Sequence, residues 1–362
     1  MKRVKHFLLA SCLFPTLLGA QEMASAYFLE LTPDAQSAGM AGTGLATTDN
    51  GSTAIFHNAS TIAFSQEVMG ASYSYAKINQ DYALHSASLF YQIGREGIHG
   101  FAVGFRHFKD PKVFDYRPHI WDLEAAYFRN VAKNLSLSLT FRYLQAKAAE
   151  NADSKNSVCL DFGATYYRNM ALLDEMASWS IGFQAANLGK KLDGQKLPAR
   201  LGLGGTIDLP FNIENRLQVA LDFNYLLPSE IRHLQAGIGA EYNFLKYGVV
   251  RAGYHFGDKD KGAGNYGTLG CGINFWPIRA DISANWLLRI FSTSVIPYIS
   301  LPLVNTNFFS FERDSLNSNP SQEKLFRSSG FSIRFFRMNR VISPRDILIY
   351  ITIEANFPFF HT

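Results

Sequence analysis

Apolar and polar residues alternate one by one over long stretches of this chain, and that period excludes a helix there. Leu135, Leu137, Leu139, Phe141 and Tyr143 interleave with Ser136, Ser138, Thr140 and Arg142. Leu217, Val219, Leu221, Phe223 and Tyr225 alternate with Gln218, Ala220, Asp222 and Asn224. Ile278, Ala280, Ile282, Ala284 and Trp286 do the same against Arg279, Asp281, Ser283 and Asn285. Side chains of a strand point alternately to its two faces, so each segment has one apolar and one polar face. Weaker alternation predicts ten further strands, over 68–79, 84–93, 98–108, 120–131, 157–168, 178–188, 198–208, 233–244, 247–257 and 266–275. Most of the candidates run about ten residues, the length a tilted strand needs to cross a bilayer core. Turn-like stretches separate them, such as Asp193-Gly194, Pro210-Phe211-Asn212 and Asp258 to Gly264.

A soluble β-sandwich also has one apolar face per strand, so alternation alone leaves two architectures open. Strand length, the nearly universal apolar face and the aromatic strand ends favour a transmembrane antiparallel β-barrel. Tyr91, Phe108, Trp121, Tyr143, Tyr166, Trp179, Tyr225, Phe244, Phe275 and Trp286 stand where interfacial girdles would be. No fixed blade repeat marks a propeller. Only 18% of residues are charged and 47% are hydrophobic, which argues against disorder. Beyond the N-terminus no run of roughly 18 apolar residues occurs, which excludes membrane-spanning helices. The net charge of +4 is spread along the chain without the basic patch that nucleic-acid binding needs.

Residues 1–26 read as a secretory signal, with Lys2, Arg3 and Lys5 before the apolar stretch Phe7 to Leu18. Leu9-Ala10-Ser11-Cys12 also looks like a lipobox, so a lipoprotein signal is the competing reading. Cys159 and Cys271, expected on opposite faces of the sheet, form neither a disulfide framework nor a metal site. The expected organisation is a signal over 1–26, a Gly-rich, hatch-like segment over 27–67, barrel strands over 68–289, and an atypical extension over 290–362. Within that extension, 346–360 and Phe331 to Phe336 are candidates for a closing strand, which would bring the count to about fourteen, even as in bacterial single-chain barrels.

The segment 31–64 clusters Gly39, Gly42 and Gly44, but no strand precedes them and no Lys follows, so a phosphate loop is disfavoured. A compact irregular piece with short helices, packed against something larger, fits better. Its run Pro33-Asp34-Ala35-Gln36-Ser37-Ala38-Gly39-Met40-Ala41-Gly42-Thr43-Gly44-Leu45-Ala46 resembles the start of the PorV family, outer-membrane barrels of the Bacteroidetes type IX protein secretion system. Ala186-Asn187-Leu188-Gly189, Leu197-Pro198-Ala199-Arg200-Leu201-Gly202 and Val250 to Gly257 extend the resemblance over about residues 27–288. The motif residues are Pro33, Asp34, Ala35, Gly39, Met40, Gly42, Gly44 and Asn58. The chain departs from the pattern in two places. Asn58-Ala59-Ser60 replaces Asn-Pro-Ala, and about seventy residues follow Trp286 where the family has one final strand. A natural extension or a shift of reading frame near Trp286 would each account for the second.

The resemblance implies a FadL-like barrel of fourteen strands in the outer membrane, with no enzymatic chemistry and no cofactor. It implies a carrier that binds the C-terminal signal domain of secreted cargo at the SprA-type translocon and passes it to the PorU-containing attachment complex. The alternative is a FadL-like channel for hydrophobic small molecules, which should show a continuous apolar pocket with a lateral opening.

Residue types alone offer little chemistry. Arg106, Asp122, Glu124, Arg142, Asp161, Asp222, Glu241, Arg279 and Asp281 fall on the polar face, where acid–base pairs such as Asp122 and Glu124 are less expected than ion pairs wetting a lumen. His85, His99, His107 and His119 lack the compact spacing of a metal site and read as girdle or loop residues. No Gly-x-Ser-x-Gly elbow is present, although a lone Ser–His pair stays open. Loops 109–119, 146–156 and 258–265 are the expected docking surface for a partner.

Overall fold

The computed structural model describes residues 26–78, 82–94, 98–112, 116–172, 175–212, 214–245, 247–261, 264–275, 278–286 and 348–358. The signal region, Cys12 and the alternative closing strand at 331–336 lie outside these residues.

Alternation becomes architecture in fourteen strands: β1 (Glu67–Ile78), β2 (Tyr82–Ile93), β3 (His99–Lys109), β4 (His119–Ala132), β5 (Leu135–Lys147), β6 (Lys155–Leu172), β7 (Glu175–Gly189), β8 (Arg200–Asn212), β9 (Asn215–Leu226), β10 (Leu234–Phe244), β11 (Gly248–Phe256), β12 (Tyr266–Phe275), β13 (Ile278–Trp286) and β14 (Leu348–Pro358). Each pairs antiparallel with its sequence neighbour, and β14 pairs with β1, closing the barrel. All thirteen strands expected before residue 289 form. The fourteenth comes from the 346–360 candidate, where Ile349, Ile351 and Ile353 face outward and Tyr350, Thr352 and Glu354 inward.

The two faces sort as the sequence pattern demands. Leu137, Leu139 and Phe141 of β5 are exposed on the outside, while Ser136, Ser138, Thr140 and Arg142 are buried within. Closure leaves no unpaired strand edge, which in hydrocarbon would cost several kcal/mol per unsatisfied backbone group. One expected girdle residue turns out otherwise. Phe108 follows the inward parity of Arg106, is buried, and stacks on Phe28 and Tyr82 at ring separations of 6.1 and 5.9 Å. Its position near a strand end suggested the interface; parity along β3 decides the face.

The ends of the barrel differ. Tight connections at 94–98, 133–134, 173–174, 213–214, 245–247 and 276–277 share one end with the start of β1 and the end of β14. The longer ones at 110–118, 148–154, 190–199, 227–233, 257–265 and 287–347 share the other, with the short 79–81 link. Outer-membrane barrels place short turns in the periplasm and long loops outside, a rule that assigns the second end of such a barrel to the extracellular side.

Inside, residues 26–66 form one short helix, α1 (Ala35–Gly39), and 3-10 turns at Tyr27–Glu30, Gly51–Phe56 and Ala59–Phe64. Almost all of this segment is buried. Phe28, Leu29, Ala35 and Ala38 pack with Leu84, Phe108, Ile120, Leu144 and Tyr350 toward the loop end. Ile55, Phe56, Ile62 and Ala63 pack with Phe90, Ala102, Ala126 and Phe128 toward the turn end.

Candidate functional site

The motif residues hold the N-terminal segment in shape. Asp34 caps α1, its Oδ1 accepting from the Ser37 amide at 2.8 Å, while its Oδ2 lies 2.7 Å from His57 Nε2. Burial alone would raise the Asp34 pKa, but the bonds to His57 and Ser37 outweigh it and hold the carboxyl below its usual range. Ser37 Oγ lies 3.0 Å from the same Nε2. Ser37, His57 and Asp34 thus use one ring nitrogen between them. A hydrolytic relay needs the base and its orienting carboxylate on different nitrogens, so the cluster reads as a structural clasp. Asn58 donates to the Leu45 carbonyl at 2.8 Å and to Thr165 Oγ1 at 3.2 Å, and its Oδ1 accepts from the Ser60 hydroxyl at 2.7 Å. Gly42 has φ +81°, a left-handed conformation that favours glycine.

Other anchors run around the wall. The Ala35 amide donates to Thr352 of β14 at 2.7 Å, and Thr268 of β12 donates to the Gly39 carbonyl at 2.8 Å. The Gly44 and Leu45 amides both donate to Asp222 Oδ2 of β9, at 2.7 and 3.0 Å, and Ser180 of β7 donates to the Ala46 carbonyl at 2.6 Å. Where the motif passes closest, the wall is glycine. A Cβ on Gly182 would sit 1.9 Å from the Leu45 carbonyl oxygen, one on Gly239 2.5 Å from the Met40 oxygen, and one on Gly237 2.8 Å from the Ala41 oxygen. The motif and the wall glycines are two halves of one packing surface.

Two groups of inward charges stand out, beside smaller pairs such as Arg200 with Glu30 and Arg216 with Asp208. In the first, Arg106 donates to Asp122 and Glu124, both at 2.7 Å, and Arg142 to Glu124 at 3.1 Å and Asp161 at 2.9 Å. Arg142 also bonds Asn187, whose left-handed backbone directs its amide onto Asp161 at 2.7 Å. In the second, Arg251 donates to Glu241 at 2.6 Å and Asp281 at 2.8 Å, and Arg279 to Glu241 at 3.2 Å. The N-terminal segment reaches the first group through Phe28 and Phe56, whose rings lie 5.5 and 5.3 Å from the Arg106 guanidinium. Asp222 stands apart from both groups, bound to backbone amides. Neither group presents a carboxylate free of arginine, so the arrangement supports ion pairing rather than proton transfer.

Arg251, central to the second group, lies within the Val250 to Gly257 stretch, where its alternation with Val250 is the signal that it faces inward. Glu354 and Thr268 were missed because their partners lie on the N-terminal segment, beyond any strand pattern.

Beside Asp222 a cavity of about 50 Å³ is lined by Glu30, His57, Arg106, Arg200, Asn224 and His255 among others. That is room for a water or two, not for an acyl chain. His85, His107 and His119 face outward at the loop end, and His99 lies near the turn end beside Tyr127. Among the described residues no group of three His, Cys, Asp or Glu side chains could hold a metal ion. Cys159 is buried inside and Cys271 exposed outside, both as free thiols. Loops 109–119, 146–156 and 258–265 all lie at the extracellular end.

Several solved structures share the barrel outline. The toluene transporter TodX of Pseudomonas putida is 13% identical, with a TM-score of 0.49, over 89% of this chain and 97% of that one. The monoaromatic hydrocarbon channel CymD is 12% identical, with a TM-score of 0.48, over 91% and 98%. A FadL homologue of Pseudomonas aeruginosa is 10% identical, with a TM-score of 0.43, over 90% and 99%. No curated protein matches the chain. The family model described as type IX secretion system protein PorV matches residues 21–231, from ahead of the N-terminal motif to beyond β9. That stretch is more than half of the chain and holds the clasp, Gly182 of the wall and the first charge group, and with it the chain belongs to the PorV family of the type IX secretion system.

Proposed function

We propose that this outer-membrane barrel is a secretion adaptor. It binds the C-terminal signal domain of secreted cargo as it leaves a SprA-type translocon and passes it to the PorU-containing attachment complex at the cell surface. Membership of the PorV family carries this reading. The extracellular loops 109–119, 146–156 and 258–265 offer the docking surface, and the role requires no catalytic group and no cofactor.

The packed lumen supports an adaptor over a hydrophobic-solute channel. A channel needs a continuous apolar path, whereas the centre of this lumen is a charged layer against a buried chain segment, which separates a cavity of about 50 Å³ beside Asp222 from an open pocket of about 600 Å³ at the turn end around Phe64, Ile98 and Tyr167. The test is a gentle-detergent pull-down of the tagged protein from its native outer membrane, read by mass spectrometry. Recovery of a giant translocon barrel, a PorU-like protease or proteins sharing a C-terminal signal domain is the expected result. Recovery of none of these, with fatty acids or other lipids instead, overturns the adaptor and leaves the channel.

A further inference from the structure

The extracellular end of the barrel is chemically lopsided on its outer face. On the β1–β5 side, strand register places Lys77, Ala83, Lys109, His119 and Lys147 in one row. All continue the outward parity of their strands. Adjacent strands are about 4.8 Å apart, so neighbouring lysines in this row stand roughly 10 Å apart. One step nearer the membrane core the same strands carry Tyr75, His85, His107 and Trp121. Along the row Tyr75 lies against His85 at 5.1 Å and His85 against His107 at 6.3 Å, while Trp121, opposite Gln145, meets Tyr143 one step lower on β5 at 5.6 Å. Below them lie exposed Leu89, Val103, Phe105 and Leu123. Across the barrel, outward strand residues near this end include Leu201, Tyr225, Leu234, Phe256 and Leu269, and the exposed cations Lys190, Lys191 and Arg232 lie in the connections beyond the strands rather than in a row on them.

An aromatic belt marks the level where hydrocarbon gives way to headgroups, so the lysine row stands at headgroup height. Among the described residues, nothing neutralises these lysines. Lys155 and Lys196, elsewhere on the rim, pair with Asp193 and Glu230, whereas Lys77, Lys109 and Lys147 have no carboxylate partner among the described residues. Asp110, next in sequence to Lys109, continues the inward parity of Arg106 and Phe108, and burial pushes its pKa up to about 7.

We propose that the Lys77–Lys109–Lys147 row binds the phosphates of a phosphorylated glycolipid in the outer leaflet, fixing the rotation and depth of the barrel in the membrane. The spacing suits a headgroup carrying more than one phosphate, and the rings beneath it pack against the upper acyl chains. This site is independent of the adaptor reading.

Full-length protein, purified in detergent and titrated with bis-phosphorylated lipid A, is read by native mass spectrometry. Each lysine near an anionic surface contributes about fivefold, so K77Q/K109Q/K147Q should retain lipid A about a hundredfold less well. Dephosphorylated lipid A should bind the unaltered protein no better than lipid A binds the variant. R129Q/K133Q/R168Q, which removes the same charge near the turn end, should leave retention unchanged. Heat-modifiable migration confirms folding, and if the triple variant does not fold, K109Q alone should lose about fivefold. Unchanged retention in the folded lysine variant, an equal loss in the turn-end variant, or equal competition by phosphatidylglycerol overturns the proposal.

Discussion

Ser52 directs both of its donors onto one oxygen of Glu354, the amide at 2.8 Å and the hydroxyl at 3.1 Å. The two residues are 302 positions apart, so the pair joins the N-terminal segment to the closing strand. Hydrogen bonds to a buried carboxylate are worth about 1.5–3 kcal/mol each. Glu354→Ala should lower the unfolding free energy by about 3 kcal/mol, read as a lower urea midpoint for loss of heat-modifiable migration. Glu354→Gln, which keeps an acceptor, should recover part of the loss.

Gly182 has no space for a side chain, because its Cβ would meet the Leu45 carbonyl oxygen at 1.9 Å. Gly182→Ala should push the segment off the wall at a cost of about 1–3 kcal/mol. Limited proteolysis should then cut between residues 40 and 50, which the unaltered protein protects. Gly205→Ala, whose added Cβ would meet nothing nearer than the Ser180 carbonyl oxygen at 3.9 Å, has no neighbour to displace and should leave that protection intact.

Arg106 is the shared partner of Asp122 and Glu124. Removing one member of a buried ion network leaves charge without compensation and costs about 3–5 kcal/mol. Arg106→Ala should show that loss in equilibrium unfolding, and the triple change Arg106→Leu, Asp122→Leu, Glu124→Leu should lose less.

Asp110 gives the loop at 110–118 a pH dependence. Its amide donates to the Pro118 carbonyl at 3.0 Å, and burial pushes its carboxyl from 3.8 up to about 7. The packed loop therefore keeps a proton that the open loop releases above about pH 4. Its stability should fall as pH rises from 4 to 7 and level off above that. Hydrogen exchange over 110–118, measured at matched pH against Asp110→Asn, should show the two proteins alike at pH 4 and the unaltered loop opening more at pH 8.

The barrel was legible because a strand writes its two environments into adjacent residues. Leu135 to Tyr143 needs only to be read two at a time. The closing strand was legible on the same terms, once Ile349, Ile351 and Ile353 were set against Thr352 and Glu354. Phe108 misled because an aromatic near a strand end does not by itself reveal which face it occupies. The packing of the lumen was hidden for a different reason. Nothing near Gly182 shows that Leu45 will lie against it, and nothing near Asp222 marks it as the acceptor for two amides of a loop. Such contacts join residues with no shared local pattern, so only the folded wall displays them.

The pairing of β1 with β14 has a temporal meaning. The first strand made must hold a place for the last, while the piece ahead of it already lies among residues from most of the wall. Loop-closure entropy makes so distant a pairing slow. Assembly of this protein should therefore resemble an enclosure: the staves gather around the contents, and the seam should seal late, when Thr352 and Glu354 find Ala35 and Ser52 of the segment they shut in.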